Sequence, residues 1–225
     1  MTDVYAHRGA HFNVRDNTLD SFREAKDMGV AGIELDVRQT ADGAIVVHHD
    51  PVVEFLTIAQ SPARDLPGYV PSLGESLVVA AGLCVNIEIK NSPGEPGYDS
   101  SGSLVRDVLA CIELVPETAV IISCFDLATC EAVRAHNESI DLAWLVQGSL
   151  GDSLEVARAA RFSAVNPHVS LVNADVKSRA DELGLALNVW TVNSPRDLTA
   201  MGRLGVASVI TDEPALALEI LATLE

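Results

Sequence analysis

The feature that most restricts the fold of this chain is a repeated alternation between short β-branched runs and longer amphipathic stretches. The runs have the length and composition of buried β-strands, and the amphipathic stretches have the period of helices. Strand-like runs occupy residues 4–6, 33–37, 84–90, 119–125, 142–146, 164–166, 186–192 and 206–211. Helical stretches occupy residues 17–29, 72–81, 102–115, 127–136, 154–161, 172–183, 195–204 and 214–224, and Asn17 is expected to cap the first. This order predicts a parallel sheet that is covered on both faces.

The number of strands decides between two parallel architectures. Eight parallel strands, each followed by a helix or loop, predict an α/β fold of the (β/α)8 TIM-barrel type, for which 225 residues are a typical length. We therefore interpret residues 1–225 as a single TIM-barrel domain. A doubly wound open sheet is the alternative, but it more often has a glycine-rich phosphate turn after the first strand, and Gly9-Ala10-His11-Phe12 is not one.

A ninth strand, residues 44–48, follows its predecessor too closely to run parallel to it. Asp42-Gly43 lies between the two and predicts a two-residue type I′ turn, in which both positions need a positive φ. We interpret this segment as a β-hairpin that rises above the second barrel strand. The predicted register pairs Asp36 with His49, whereas a slip of one residue would put His48 in that place.

Acidic side chains occupy the ends of two neighbouring strands. Glu34 and Asp36 are two residues apart, so they point to the same face of their strand, and Glu88 lies within the apolar run that forms the next strand. Solvated acids are common at strand ends, but apolar neighbours draw Glu88 inward, and a buried carboxylate needs a partner. The three oxygen ligands suit a divalent cation, either Mg²⁺ or Ca²⁺.

Basic groups are expected at the same rim, because active sites of TIM barrels lie at the carboxyl ends of the strands. His7 and His49 could form a general acid and base pair. Arg8 and Lys90 could hold phosphate oxygens, or merely balance the nearby acids. Trp190 could form an apolar wall for an organic group, or only cap the barrel core.

The charge of the chain limits its partners. Asp and Glu number 32 against 15 Lys and Arg, and the formal net charge is −17. Such a surface repels phosphate backbones and anionic bilayers, so we expect a small-molecule substrate, no nucleic acid and no stable membrane association. The N-terminal residues show no basic and apolar leader, which favours a cytoplasmic protein. Nothing in the sequence indicates an oligomeric state.

Seven blocks in order along the chain resemble the glycerophosphodiester phosphodiesterase family, within the phosphatidylinositol phospholipase C-like superfamily. The blocks are His7-Arg8-Gly9, Asn17-Thr18, Glu34-Leu35-Asp36-Val37, His49-Asp50, Asn86-Ile87-Glu88-Ile89-Lys90, Val189-Trp190-Thr191-Val192-Asn193 and Ile210-Thr211-Asp212-Glu213-Pro214. The resemblance implies metal-dependent hydrolysis of glycerophosphodiesters to sn-glycerol 3-phosphate and an alcohol. It implies the same roles for the residues named above, with Glu34, Asp36 and Glu88 on the cation. It also implies attack by the glycerol 2-hydroxyl to give a cyclic phosphate, which water then opens.

The chain departs from the family pattern in two places. Asp16 stands where the family usually has Glu, which is expected to alter a contact outside the ligand set. Residues 51–71, with four prolines, form a compact segment after His49-Asp50 where many relatives have an insertion over the substrate. We expect this short cover to leave the alcohol side of the site open.

Two other functions stay open. One is lysophospholipase D-like action on lysophospholipids, which would need an exposed apolar surface that the 4% aromatic content does not reveal. The other is a non-catalytic binding barrel, which would be expected to have lost at least one ligand or histidine.

Overall fold

The computed structural model describes residues 2–224 as eleven strands, eight α-helices and three short 3₁₀ turns. The strands are β1 (Asp3–His7), β2 (Gly32–Gln39), β3 (Ile45–Val47), β4 (Val52–Val53), β5 (Leu56–Thr57), β6 (Cys84–Ile89), β7 (Ala119–Cys124), β8 (Asp141–Val146), β9 (Ala164–Pro167), β10 (Ala186–Val189) and β11 (Ser208–Thr211). The helices are α1 (Leu19–Met28), α2 (Leu73–Val79), α3 (Ser103–Glu113), α4 (Leu127–His136), α5 (Ser153–Ala159), α6 (Ala174–Leu183), α7 (Pro195–Leu204) and α8 (Pro214–Ala222).

Eight parallel strands close into a barrel, which confirms the predicted fold class. The order around the ring is β1, β2, β6, β7, β8, β9, β10 and β11, and β1 pairs with both β2 and β11 to complete the circle. The helices cover the outside of this ring, and their apolar sides pack against it; Phe22 of α1 is fully buried there. Strand β2 is buried on both faces, as a central strand of such a barrel must be.

The first helix begins one residue later than expected. Thr18 is the N-cap: its hydroxyl accepts from the Ser21 amide, and the Ser21 hydroxyl in turn accepts from the Thr18 amide. The prediction that Asn17 caps this helix is therefore wrong. Asn17 instead has a φ of 53° and points its amide toward the carboxyl end of β2.

The hairpin above β2 is present, but the predicted turn and register are wrong. Val37 pairs with Val47 and Gln39 with Ile45, so the pairing is shifted by one residue from the expected one. Thr40 and Ala44 close a three-residue loop, Ala41-Asp42-Gly43, in which only Gly43 has a positive φ, of 83°. The Thr40 hydroxyl also bonds both Asp42 and the Ala44 amide, which favours the longer loop.

Residues 51–71, here called the cover segment, are more ordered than a plain loop. They contain the β4–β5 hairpin and two 3₁₀ turns, Ile58–Gln60 and Ala63–Asp65. Their apolar residues Val53 and Ile58 pack with Val46 of β3 in a small cluster separate from the main core. The cover segment is thus fixed to the hairpin, beside the carboxyl end of β2.

Among residues 2–224, every helix is too short or too polar to cross a lipid bilayer.

The turn predicts a measurable cost for one substitution. Gly43→Val should lower the free energy of unfolding by about 1–2 kcal/mol, because a side chain disfavours positive φ, while the open space around Gly43 removes any steric contribution. Gly68→Ala is the control, since Gly68 is equally open and has no positive φ. Urea denaturation of the three proteins checks this, and equal midpoints would contradict the loop conformation.

Candidate active site

Three carboxylates meet at the carboxyl end of β2 because of the register of its neighbours. Asp36 lies directly opposite Glu88 across β2 and β6, and Glu34 lies opposite His7 across β1 and β2. One oxygen from each of Glu34, Asp36 and Glu88 lies within 4.8 Å of the others, and all three residues are buried. The sequence thus predicted correctly that these acids come together.

The electrostatics of this cluster fit a divalent cation. Burial, with the charges of Asp36 and Glu88, raises the pKa of Glu34 to about 8, and burial beside Asp36 also raises the pKa of Glu88. Burial also acts to raise the pKa of Asp36, but Lys90 and Arg8 outweigh it and hold that pKa below its usual value. Three buried oxygens that repel one another are the donor set that Mg²⁺ and Ca²⁺ prefer.

Two basic side chains contact the acids directly. Lys90 Nζ lies 2.6 Å from Glu88 Oε1 and 3.2 Å from Asp36 Oδ1, and its pKa is raised to about 12 because these charges outweigh the effect of burial. Arg8 Nε lies 3.3 Å from Asp36 Oδ2, and the Arg8 amide donates to Glu34 Oε2 at 3.1 Å. Arg8 and Lys90 therefore line the same cluster from opposite sides of β2.

The chain reaches this arrangement through a tight bend after β1. Arg8 has a φ of 57°, and Gly9 follows with a φ of 78°. A Cβ on Gly9 would lie 2.5 Å from the Ser21 hydroxyl, so only glycine fits against α1 here. The bend turns the Arg8 amide toward Glu34.

His7 is held by a carboxylate that the candidate ligand set did not include. Its Nδ1 lies 2.6 Å from Asp212 Oδ1, and its Nε2 lies 3.9 Å from Glu34 Oε2. Burial lowers the pKa of His7, but the Asp212 hydrogen bond and the Glu34 charge raise it by more, so it lies above 6.5. Asp212 also accepts from Asn193 at 2.6 Å and contacts His11 at 3.3 Å. Its position after the last strand is the sequence signal that indicates it.

The predicted pairing of His49 with Asp36 is wrong, and other contacts position His49. The observed register pairs the His48 amide with the Asp36 carbonyl, and β3 ends before both histidines. Arg38 Nε and one terminal nitrogen donate to the His49 carbonyl, at 2.8 and 2.6 Å. His49 Nδ1 lies 2.8 Å from Asp50 Oδ1. Burial lowers the pKa of His49. His49 lines the same cleft as Arg8, which in turn contacts Asp36.

A small cleft opens beside Arg8 and His49. It measures about 170 Å³ and is lined by Arg8, Arg15, Asp16, Asn17, His48, His49, Asp50, Tyr69 and Val70. Asn17 donates to Asp36 Oδ2 at 2.8 Å, and Arg8 donates to Asp16 at 3.3 Å. Asn17 and Asp16 therefore help to position one acid and one base of the cluster. The Asn17 contact could not be predicted from the sequence, because asparagine is equally typical of a helix cap.

Trp190 stands on the opposite side of the cluster. It lines a narrow space with His7, Glu34 and Glu88, its Nε1 donates to the Asn166 carbonyl at 2.8 Å, and its ring meets Phe125 edge to face. His168 packs edge to face on the same indole. Trp190 is half-buried and lines the space beside Glu34.

Comparison with known proteins points to one family. The sequence profile of the glycerophosphoryl diester phosphodiesterase family matches residues 7–69 and 59–216. A glycerophosphodiester phosphodiesterase of Caldanaerobacter subterraneus is 29% identical over 95% of both chains, and one of Bacillus altitudinis is 26% identical over 98% of both.

Solved structures share the barrel. A putative glycerophosphoryl diester phosphodiesterase from Agrobacterium tumefaciens superposes with a TM-score of 0.88 at 25% identity, over 99% of this chain and 98% of that one. A phosphodiesterase from Oleispira antarctica, in complex with its product sn-glycerol 3-phosphate, gives a TM-score of 0.90 at 19% identity, over 99% and 97%. The relatives with this fold are named as phosphodiesterases, which are phosphoric diester hydrolases. The chain belongs to the glycerophosphoryl diester phosphodiesterase family.

The contact between His7 and Asp212 predicts a pKa change. Asp212→Asn should lower the pKa of His7, because the carboxylate that stabilises the imidazolium is lost while burial of the ring remains. NMR titration of the imidazole, without added divalent cation, measures this. Asp50→Asn is the matched control and should lower the pKa of His49 alone. An unchanged His7 pKa in Asp212→Asn would contradict the contact.

Proposed function

We propose that this protein hydrolyses glycerophosphodiesters to sn-glycerol 3-phosphate and an alcohol, with residues 1–225 acting as one catalytic domain. The observation that carries the proposal is the convergence of three buried carboxylates, two basic side chains and two carboxylate-bound imidazoles at one end of the barrel. Membership of the family supports the reaction class, and the product bound to the Oleispira phosphodiesterase supports the glycerol 3-phosphate half.

In this proposal Glu34, Asp36 and Glu88 hold a divalent cation, Mg²⁺ or Ca²⁺. The bound cation would neutralise charge on the phosphoryl oxygens and polarise them. It would also offset the burial and the repulsion that together raise the pKa of Glu34. Arg8 and Lys90, which now contact the acids, would then be able to hold phosphate oxygens, Arg8 with its planar fork and Lys90 as a point charge.

The two histidines move protons in this scheme. Each has its Nδ1 hydrogen-bonded to a carboxylate, His7 to Asp212 and His49 to Asp50, which leaves Nε2 as the nitrogen that faces the substrate. When the glycerol 2-hydroxyl attacks phosphorus, it loses a proton and the departing alcohol gains one. When water opens the cyclic phosphate, water loses a proton and the 2-oxygen gains one. One histidine accepts and the other donates in each half.

Removing one ligand should weaken the cation and the activity together. Glu34→Gln and Glu88→Gln should each lower kcat/KM at least about 10-fold and raise the half-saturating cation concentration, because even groups behind a metal ligand contribute 10- to 100-fold. A phosphodiesterase assay after chelation, with Mg²⁺, Ca²⁺ or Mn²⁺ titrated back, measures both. Glu113→Gln, at the exposed end of α3, is the control. An unchanged cation response would remove these residues from the ligand set.

Each histidine should be needed for turnover. His7→Ala and His49→Ala should each lower kcat by about 10²- to 10⁴-fold, the usual contribution of general acid or base catalysis. His136→Ala, on the outside of α4 with its Nδ1 at the Ala132 carbonyl, should have no effect. A loss of only a few-fold in either variant would exclude the proposed role of that histidine.

A second candidate is lysophospholipase D-like activity, which one structural observation favours. Phe12, in the loop after Arg8, is 87% exposed, and Phe55, at the turn of the cover-segment hairpin, is 99% exposed. These rings supply exposed apolar surface, which composition alone did not reveal, on two segments that also contribute residues to the cleft. A comparison of glycerophosphoglycerol with lysophosphatidylglycerol distinguishes the two substrates. Absence of turnover with every substrate and cation would instead favour a binding barrel.

A further inference from the structure

A second groove adjoins the catalytic cleft at the edge of the cover segment. It measures about 410 Å³, and its lining includes Arg15, Asp20, Arg23, Tyr69, Val70 and Glu75. Arg15, Tyr69 and Val70 line both spaces, so a substrate group that leaves the cleft on this side passes the stacked pair of Arg15 and Tyr69. Side chains therefore line this side of the cleft even though the cover segment is short.

The acids around this passage are already engaged. Asp16 pairs with Arg8 at 3.3 Å, Asp50 with His49 at 2.8 Å and Asp20 with Arg23 at 2.6 Å. Glu75 accepts from the amide and hydroxyl of Ser72, where it completes the cap of α2, and Glu54 accepts from the Tyr69 hydroxyl at 3.3 Å. Each acid thus has its own donor.

Arg15 is the exception among the charged groups here. Within residues 2–224 its guanidinium makes neither an ion pair nor a side-chain hydrogen bond, although the chain carries a net charge of −17. It instead lies over the ring of Tyr69, with Cζ 4.2 Å from the ring centroid. This stacking holds the cation at the passage and leaves its N–H groups free for an anion.

The same stacking disfavours a quaternary ammonium group. An aromatic face is the usual partner of such a cation, but this face of Tyr69 is covered by Arg15. A choline group would have to displace the guanidinium and would also be repelled by it. A carboxylate or phosphate on the alcohol would be attracted.

We propose that Arg15, positioned by Tyr69, selects glycerophosphodiesters whose alcohol carries an anionic group and discriminates against those with a quaternary ammonium. This proposal rests on the proposed function, because it assigns the alcohol side of the same site. Arg15 is a specificity-determining residue and takes no part in the bond-breaking step.

Three diesters of sn-glycerol 3-phosphate test this selection. Glycerophosphoglycerol and its 3-O-linked glycerate analogue differ only in a terminal hydroxymethyl or carboxylate. In glycerophosphocholine the alcohol instead carries a positively charged quaternary ammonium. The wild-type kcat/KM should be highest for the glycerate diester and lowest for the choline diester. In Arg15→Gln the glycerate-to-glycerol ratio should fall about 10-fold, equivalent to ~1.4 kcal/mol.

Two further variants separate the local effect from net charge. Arg15→Lys should keep part of the preference, because it retains a charge without the planar fork. Arg23→Gln removes the same charge from the same groove but away from the cleft, so its ratio should stay within about two-fold of wild type. An unchanged ratio in Arg15→Gln, or an equal fall in Arg23→Gln, would overturn the proposal.

Failure of the proposed function gives a different result. If the wild type hydrolyses none of the three diesters with any cation, the reaction assignment is wrong. Calorimetric binding of the intact diesters then tests the groove by itself: Arg15→Gln should abolish any affinity preference for the glycerate diester. Equal wild-type affinities for the glycerol and glycerate diesters would overturn the selection by Arg15.

Discussion

The repulsion among Glu34, Asp36 and Glu88 is the constraint on which the site depends. Parallel pairing places Asp36 directly opposite Glu88, and the alternation along β2 puts Glu34 on the same side. The backbone of the barrel therefore holds the three carboxylates close together. Burial makes their charges costly unless cations lie close by. Arg8, Lys90 and the two imidazoles are arranged around this excess of negative charge, and the same excess favours a divalent metal.

The barrel and the acid cluster could be predicted from the sequence because both follow from local periodicity. β-branched runs separated by helical stretches define the parallel ring, and the two-residue spacing of Glu34 and Asp36 defines a shared face. Neighbouring strands of a barrel then bring Glu88 alongside them. These inferences need only the order of the strands along the chain and the alternation of side chains along each strand. Both can be read from the sequence.

The details that the sequence missed depend on contacts between distant or ambiguous groups. Asp42-Gly43 is compatible with a two- or three-residue loop, and the Thr40 hydroxyl decides between them only in the folded chain. Asn17 is equally suited to cap a helix and to hold Asp36, and Thr18 takes the first task. The partnership of His7 with Asp212 joins opposite ends of the chain, so only closure of the ring brings it about.

The hydrogen bonds from Arg38 to the His49 carbonyl make the position of His49 independent of the hairpin loop at Asp42. Because the imidazole is located by its own main chain and a buried guanidinium on the barrel wall, the length of the loop at Asp42 does not set where the ring lies. Insertions or deletions at that tip could accumulate in evolution without displacing His49. Loss of Arg38, which contacts Glu95 but none of the three clustered acids, would remove both side-chain hydrogen bonds that hold the His49 carbonyl to the barrel.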